Sequence, residues 1–377
     1  ALQLHKEWNG KLETVAKSKV NSREDLALAY TPGVAEPCKV IAKDPEAAYT
    51  YTWKSNTVAV VSDGSAVLGL GNIGPYAAMP VMEGKCVLFK EFGDVNAVPI
   101  CLDTQDTEEI IEAVKNIAPG FGGINLEDIS APRCFEIEER LKEMLNIPVF
   151  HDDQHGTAIV VLAGIINGLR VTGKKKEDCH VVVNGAGSAG IAITKLLLRY
   201  GFKHVMMCDR EGIIGKDYPN LNWMQKNMTE VTNLENKSGT LADALKGADI
   251  FVGVSAPNIV SPEMVASMNK DAIIFAMANP VPEIMPDVAK AAGAKVVGTG
   301  RSDFPNQVNN VIAFPGIFKG ALEGRATQIT EEMKLAAAEA LAGLVSDEQI
   351  NEDFIMPEAF DPRVAEVVSQ AVKSHVR

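Results

Sequence analysis

The chain has 377 residues, 46% hydrophobic and 23% charged, a composition typical of globular proteins that excludes a disordered or fibrous chain. At this length we expect two domains, each large enough to bury a core. The formal net charge of -13 repels the phosphate backbone of DNA and RNA, so nucleic acid is not an expected partner.

The six cysteines are scattered along the chain and include no Cys-x-x-Cys pair. We therefore expect buried, reduced thiols rather than disulfides. The chain opens without a charged and then apolar leader, and no apolar run approaches the ~20 residues that span a bilayer. These features predict a cytoplasmic protein without a membrane partner.

The first half of the chain is the less regular half. Its strand-like apolar runs cover residues 58–61, 87–89 and 98–102. We predict a smaller N-terminal mixed α/β domain over residues 1–155.

The second half alternates apolar strand-like runs with longer helical stretches, which is the pattern of a parallel sheet. The predicted strands cover residues 181–183, 205–208, 250–254, 273–276 and 296–297. We predict an α/β fold here, a Rossmann-like doubly wound parallel sheet over residues 156–325. Helical patterns at 333–344 and 365–376 indicate a C-terminal segment, 326–377, whose helices pack back against the first domain.

Two Gly-x-Gly-x-x-Gly stretches, at 69–74 and 185–190, differ in their context. The second follows a predicted strand after only Asn184, opens an amphipathic helix, and is followed by a strand that ends at Asp209. We predict a dinucleotide site there, with the pyrophosphate at the helix N-terminus and Asp209 accepting from a ribose hydroxyl. The first stretch is separated from its strand by residues 62–68, which indicates a structural glycine loop.

Asp209 also bears on the choice of cofactor. Its carboxylate would repel the 2′-phosphate of NADP, whereas the neighbouring Arg210 could pair with that phosphate. NAD is therefore the expected cofactor, and NADP is the alternative.

Two acid pairs, Glu127 with Asp128 and Asp152 with Asp153, each follow an apolar or glycine-rich run, as acids at strand ends do. Carboxylate oxygens suit Mg²⁺ or Mn²⁺, although solvated or helix-capping acids give the same pattern. His151 and His155 are four residues apart, but no Glu follows His151 and no third nitrogen or sulfur ligand is evident for zinc. Capping or packing histidines are favoured.

Six motifs occur in the order that they have in the malic enzymes, and the chain resembles the short prokaryotic type of that family from about residue 23 to about residue 325. The motifs are Tyr-Thr-Pro-Gly-Val-Ala from Tyr30, Met-Glu-Gly-Lys from Met82, Ile-Asn-Leu-Glu-Asp-Ile from Ile124, His-Asp-Asp-Gln-His-Gly from His151, Ala-Asn-Pro from Ala278 and Gln-Val-Asn-Asn from Gln307.

The resemblance implies roles for the matching residues. Tyr30 would be the general acid and Lys85 the general base. The metal ligands would be Glu127, Asp128 and Asp153, and the cofactor would be bound by Gly185, Gly187, Ser188, Ala189, Gly190, Asp209, Ser255 and Asn279. Substrate contacts would come from Asn279, Asn309, Asn310 and Lys90, with Asn310 favoured over Asn309. The arginine that larger eukaryotic members place on the substrate carboxylate has no matching motif here.

A lysine that acts as a base must be neutral, so the pKa of Lys85 would have to fall well below its ordinary ~10.4. Burial or a neighbouring cation would lower it, and Lys90 is the cation that we expect nearby.

The activity that the resemblance implies is the oxidative decarboxylation of malate to pyruvate and CO₂ with reduction of NAD(P), in a homodimer dependent on Mg²⁺ or Mn²⁺. A malolactic enzyme or an oxaloacetate decarboxylase would use the same residues. A metal-free amino-acid dehydrogenase would not need the paired acids. A nucleotide-sensing binding protein would need neither those acids nor Tyr30 and Lys85.

Overall fold

The computed structural model describes residues 1–376, which fold around two β-sheets, one from each half of the chain. The strands of the first sheet are β1 (Thr57–Ser62), β2 (Asn96–Cys101), β3 (Gly123–Leu126) and β4 (Val149–His151). They lie in the order β2-β1-β3-β4, and every neighbouring pair is parallel.

The second sheet has six strands in the order β10-β9-β8-β5-β6-β7. They are β5 (His180–Asn184), β6 (His204–Asp209), β7 (Gly212–Ile213), β8 (Ile250–Gly253), β9 (Ala272–Ala276) and β10 (Ala294–Thr299). Only the short edge strand β7 is antiparallel to its neighbour. The chain runs from β5 to one side and then returns to β8 on the other, so the strand order reverses between β5 and β8. This topology confirms the predicted Rossmann-like sheet.

Helices cover the two sheets. In chain order they are α1 (Leu2–Trp8), α2 (Arg23–Ala29), α3 (Ala35–Lys43), α4 (Ala48–Tyr51), α5 (Gly74–Gly93), α6 (Thr107–Ile117), α7 (Arg133–Met144), α8 (Asp152–Thr172), α9 (Ser188–Tyr200), α10 (Trp223–Met228), α11 (Leu241–Leu245), α12 (Pro262–Ala266), α13 (Pro286–Ala291), α14 (Phe314–Glu323), α15 (Glu331–Gly343) and α16 (Arg363–Lys373).

The strand predicted at 87–89 is wrong, because these residues lie inside α5. Met82, Cys86 and Phe89 are all buried, and their spacing of four and then three residues is that of one helix face. A short apolar run fits a strand and a buried helix turn equally well, and only the longer period separates them.

Helix α8 lies between the two halves of the chain, and all of its residues from Ala158 to Ile165 are buried. A Cβ at Gly164 would lie 2.9 Å from the ring of Phe275 in β9, so glycine is what lets the helix approach this sheet closely. By length and hydropathy α8 could cross a membrane, but 61% of its most apolar window is buried within the protein. Its apolar character is that of a core helix.

Helix α14, which precedes the predicted C-terminal segment, contacts α5 and α16, and α15 contacts α8 and α16. The packing of residues 326–377 against the first domain remains a prediction. Phe318 of α14 is fully buried and meets the rings of Phe89 and Phe150 edge-on, with centroids 5.3 and 5.7 Å away. The domain boundaries after residues 155 and 325 remain a prediction. The first of them falls inside α8, since that helix begins at Asp152.

We predict that Phe318→Ala destabilises the protein by about 3–5 kcal/mol, because it leaves a cavity where α14 meets the first half of the chain. The measurement is the thermal unfolding midpoint. Phe360→Ala is the matched control, since this phenylalanine is 85% exposed and should leave the midpoint unchanged. Equal midpoints for the two variants would contradict the packing described for α14.

Candidate active site

Four acidic residues meet at one edge of the first sheet. Glu127 and Asp128 directly follow β3, and Asp152 and Asp153 directly follow β4. These two strands are parallel neighbours, so their carboxyl ends lie side by side. One carboxylate oxygen from each of Glu127, Asp128 and Asp153 lies within 4.8 Å of the others. The predicted metal ligands are therefore brought together by the fold.

The chemistry of this group fits a hard divalent cation. Oδ2 of Asp128 is buried and has no hydrogen-bond partner in the protein, while the Asp128 N–H donates to Asp153 Oδ2 at 2.7 Å. Burial, and then the charges of Asp153 and Glu127, raise the pKa of Asp128 to about 9. Carboxylates this close repel one another once ionised, and a dication offsets that repulsion. An all-oxygen donor set is the one that Mg²⁺ and Mn²⁺ prefer.

Lys85 of α5 points into the same cluster and is 8% exposed. Its Nζ lies 2.5 Å from Asp152 Oδ2 and 2.9 Å from Glu127 Oε1, and it stands 4.0 Å above the ring of Phe314. Burial alone would lower the pKa of Lys85, but Asp152 and then Glu127 raise it, and the net shift is upward. The expected depression of this pKa is therefore wrong for the arrangement of protein groups alone.

Lys90 does not lie beside Lys85, so its predicted role as the neighbouring cation is also wrong. Five residues along a helix turn the side chain by about 140°. The Lys90 Nζ lies 2.6 Å from Asp94 Oδ1 and 3.2 Å from Asn96 Oδ1. Lys90 does not line the cavity that contains Lys85. The substrate contact that the resemblance implied for Lys90 has no support in this geometry.

Asp152 is a site residue that the sequence reasoning missed. Its side chain is fully buried, and Oδ2 accepts hydrogen bonds from Lys85 Nζ and from Asn310 Nδ2, each at 2.5 Å. A Cβ at Gly156 would lie 1.8 Å from Asp152 Oδ1, so the glycine makes room for this carboxylate. The signal was present in the sequence, because Asp152 and Asp153 form one acid pair. Only Asp153 was predicted to have a role, as a metal ligand.

A cavity of about 1110 Å³ opens in front of these groups. Its polar end is formed by Lys85, Glu127, Asp128, Asp153 and Asn310. Its apolar wall includes side chains from α1 and from the first glycine loop. This volume admits a small dicarboxylic acid together with part of a larger cofactor.

The two adjacent asparagines have different positions. Asn310 contacts Asp152 and lines the cavity, whereas Asn309 Oδ1 accepts from the Val311 N–H at 3.0 Å and caps a short 3₁₀ turn. This placement agrees with the preference for Asn310. Neither substrate contact is tested by it, and both remain predictions.

Tyr30 is not brought to this cavity within the chain. It follows the last residue of α2, is 68% exposed, and is absent from the cavity lining. Its predicted role as general acid therefore requires either a movement of the N-terminal segment or a second copy of the chain.

The two histidines of the fourth motif are not arranged as zinc ligands. His155 Nδ1 lies 3.0 Å from Lys334 Nζ, which can only donate, so the ring carries its proton on Nε2 and donates it to Glu138 Oε2 at 2.9 Å. His151 is buried at the start of α8, and its backbone N–H donates to Glu138 at 3.0 Å. The packing interpretation of both residues fits these contacts.

The second glycine stretch joins β5 to α9 in the way the sequence predicted. Gly185 has a φ of +109°, and a Cβ there would lie 2.5 Å from the Val254 carbonyl oxygen. A Cβ at Gly190 would lie 1.7 Å from the Gly185 carbonyl oxygen, so the turn closes only with glycine. At Gly187 a Cβ would meet nothing, which leaves this side of the loop open to a ligand. The loop fits a pyrophosphate at the N-terminus of α9.

The remaining predicted cofactor residues lie at the same edge of the second sheet. Ser188 and Ala189 begin α9, and Asp209 ends β6 and accepts from its neighbour's N–H. Ser255 follows β8 and Asn279 follows β9. The carbonyl oxygen of Asn279 is 4.0 Å from where a Cβ of Gly69 would stand, so the first glycine loop reaches this edge. Leu70 of the same loop lines the Lys85 cavity, so this loop lies between that cavity and the end of β9.

Comparison with known proteins agrees with this architecture. Residues 9–142 match the model of the malic enzyme N-terminal domain, and residues 154–376 match that of the malic enzyme NAD binding domain. The bifunctional malic/malolactic enzyme of Bacillus subtilis is 60% identical over 99% of this chain and 91% of its own length. The NAD-dependent malic enzyme of Geobacillus stearothermophilus is 60% identical over 96% of this chain and 76% of its own.

Solved structures give the same result. The NAD-dependent malic enzyme of Thermotoga maritima is 54% identical and superposes with a TM-score of 0.96 over 99% of this chain and 98% of its own. The malic enzyme of Pyrococcus horikoshii is 48% identical, with a TM-score of 0.94 over 99% of this chain and 90% of its own. The chain belongs to the malic enzyme family.

Proposed function

We propose that this protein oxidises and decarboxylates L-malate to pyruvate and CO₂ while reducing a nicotinamide dinucleotide. The observation that carries the proposal is the contact of Lys85 with Asp152 and Glu127 at a cavity that Asp128, Asp153 and Asn310 also line. Family membership and relatives named as NAD-dependent malic enzymes support the same reaction.

The reaction removes a proton from the C2 hydroxyl of malate, a hydride from C2 and CO₂ from C3, and then protonates C3. A divalent ion held by Glu127, Asp128 and Asp153 would supply positive charge that stabilises the alkoxide and the enolate and offsets the carboxylates around Lys85. Lys85 is the group placed to accept the hydroxyl proton, and Asp152 holds its Nζ in position. Asn310 keeps Asp152 oriented, and Tyr30 would deliver the proton to C3.

Malolactic conversion is the second candidate, because a relative that is 60% identical is named a bifunctional malic/malolactic enzyme. The two reactions differ in their products. We expect malate, Mn²⁺ and NAD to yield NADH and pyruvate in equal amounts, followed by absorbance and by an enzymatic pyruvate assay. Lactate without net NADH would show that malolactic conversion is the main activity.

Lys85→Ala should lower kcat by at least about 100-fold, since it removes the group that accepts the hydroxyl proton. Lys90→Ala is the matched control from the same helix, and its exposed ion pair should leave kcat within about twofold. Steady-state rates with malate and NAD measure both variants. An equal loss of activity in the two variants would show that Lys85 is not the group that accepts the proton.

Asp153→Ala should weaken Mn²⁺ binding by at least about tenfold, as even residues outside the coordination shell change affinity that much. Calorimetric titration with MnCl₂ measures it, and Asp94→Ala serves as a control because Asp94 is an exposed acid paired with Lys90. An unchanged Mn²⁺ affinity in Asp153→Ala would refute the ligand assignment.

NAD is the cofactor that we propose. Asp209 ends β6, where its carboxylate would accept from a ribose hydroxyl of NAD and would repel the 2′-phosphate of NADP. A relative from Rhizobium meliloti, 48% identical, is named an NADP-dependent malic enzyme, so the family contains both preferences. Initial rates with NAD and NADP at equal concentration decide between them.

We place the activity in the cytoplasm, in agreement with six free cysteines.

We propose a homodimer whose N-terminal segments lie at the interface. None of the residues of helices α1 to α4 is buried, and the apolar side chains of Leu2, Val15, Leu28 and Tyr30 are all more than two-thirds exposed. An apolar surface of this kind in a soluble enzyme is typical of a subunit contact. A second copy could also bring Tyr30 to the cavity that it does not reach within the chain.

Subunit mixing tests this arrangement. Tyr30→Ala and Lys85→Ala should each be inactive alone. If Tyr30 acts across the interface, mixed dimers regain one intact site, and a random mixture recovers about a quarter of the wild-type rate. No recovery in a mixture that mass spectrometry shows to contain heterodimers would place Tyr30 in its own subunit's site.

A further inference from the structure

A buried carboxylate stands behind the cofactor end of the second sheet. Glu283, in the turn between β9 and α13, is 0% exposed. Its Oε1 accepts hydrogen bonds from the Ser255 N–H at 3.0 Å and from Ser255 Oγ at 3.2 Å, and its Oε2 accepts from the Ala278 N–H at 3.0 Å. The carboxylate thus joins the loop after β8 to the loop after β9.

The same network reaches the glycine loop. Asn184, the last residue of β5, donates from Nδ2 to Ser255 Oγ at 2.8 Å. The Asn184 and Ser255 side chains and the Ala278 backbone N–H therefore connect the ends of β5, β8 and β9. This is the place where the strand order reverses, and ligands of such sheets bind there. A Cβ at Gly253 would lie 2.5 Å from Glu283 Oε1, so the end of β8 is shaped around this carboxylate.

We propose that Glu283 is a positioning residue for the nicotinamide cofactor. It holds Ser255 and the segment from Ala278 to Asn279 in the geometry that receives the nicotinamide half, without touching the cofactor itself. This inference rests on the proposed function, since it needs the dinucleotide to bind at the Gly185 loop.

The chemistry of the group explains why a carboxylate is needed. Three donors converge on it, and an amide of the same shape would offer one oxygen and turn its NH₂ toward at least one of those donors. The turn that carries Glu283 is also held by backbone hydrogen bonds. The Asn258 N–H donates to the Pro282 carbonyl oxygen at 3.0 Å, and the Val260 N–H donates to the Glu283 carbonyl oxygen at 3.1 Å. Changing the carboxylate should therefore disturb the two loops more than the turn.

The chain offers a matched control at the opposite end of the same sheet. Asp249 is 6% exposed, and its carboxylate accepts from the His180 N–H, Lys174 Nζ and Asn269 Nδ2 at 2.7 to 3.0 Å. It lies just before β8, at the edge remote from the glycine loop. Glu283→Gln and Asp249→Asn therefore each replace a buried carboxylate that accepts three hydrogen bonds by its amide, although Asp249 is also paired with Lys174. Only Glu283 lies beside the proposed cofactor site.

The experiment is a fluorescence titration of wild type, Glu283→Gln and Asp249→Asn with NADH, together with thermal unfolding and Mn²⁺ calorimetry. Leaving one buried donor unsatisfied corresponds to roughly a tenfold change in an equilibrium constant. We expect Glu283→Gln to raise the Kd for NADH about tenfold and to keep Mn²⁺ affinity within twofold. Asp249→Asn should lower the unfolding midpoint and leave the Kd for NADH unchanged.

The outcomes separate the inference from the proposed function. Wild-type protein that fails to bind NADH would overturn the proposed function. Wild type that binds NADH, with Glu283→Gln within twofold of it or with both variants weakened equally, would overturn the positioning role alone. If Glu283→Gln does not fold, Glu283→Asp replaces it, because the charge is kept and the reach is shortened. An unchanged Kd for NADH in folded Glu283→Asp would also overturn the inference.

Discussion

Several ionisable groups with little exposure to solvent share one edge of the first sheet, and this constraint shapes the rest of the site. Glu127, Asp128 and Asp152 are almost fully buried, and Lys85 is paired with Glu127 and Asp152. Removing such charges from water is costly unless each is paired. One ammonium cannot balance four carboxyl groups, and the dication that we propose would offset two of the remaining negative charges.

The fold meets that constraint through parallel strands. Because β3 and β4 are neighbours with the same direction, the residues after them stand together although they are about 25 positions apart in the chain. Helix α5 supplies Lys85 from one side, and α8 begins with Asp152 on the other. The second sheet has its glycine loop at the carboxyl end of β5, so the proposed chemistry and the proposed cofactor site both lie at strand ends.

The sequence predicted those parts whose signal is local. The strands around Val181 and the turn at Gly185 follow from neighbouring residues alone, and the motif order supplied the acids and Lys85. The sequence-based predictions were wrong where the answer depended on the three-dimensional arrangement of side chains. The apolar run at 87–89 has the pattern of a strand, and only the structure shows that it belongs to a buried helix face. Lys90 is close to Lys85 in sequence, but the two side chains point in different directions from α5.

Two residues show why the rest could not be read from the chain. Glu283 is a single acid in a proline-rich turn, and nothing local indicates that three donors converge on it. Tyr30 carries a clear motif, but it does not reach the cavity within the chain, and no periodicity indicates what would bring it there. Sequence motifs identify the groups that do chemistry more readily than those that hold them in place.

The proposed chemistry depends on Glu127, Asp128 and Asp153 binding one divalent ion beside Lys85. Anomalous diffraction from crystals grown with MnCl₂ tests it most directly, because the signal locates the ion without reference to activity. We predict one strong peak bonded to an oxygen of each of the three acids. A peak on other residues, or none among these acids at saturating Mn²⁺, would contradict this metal site.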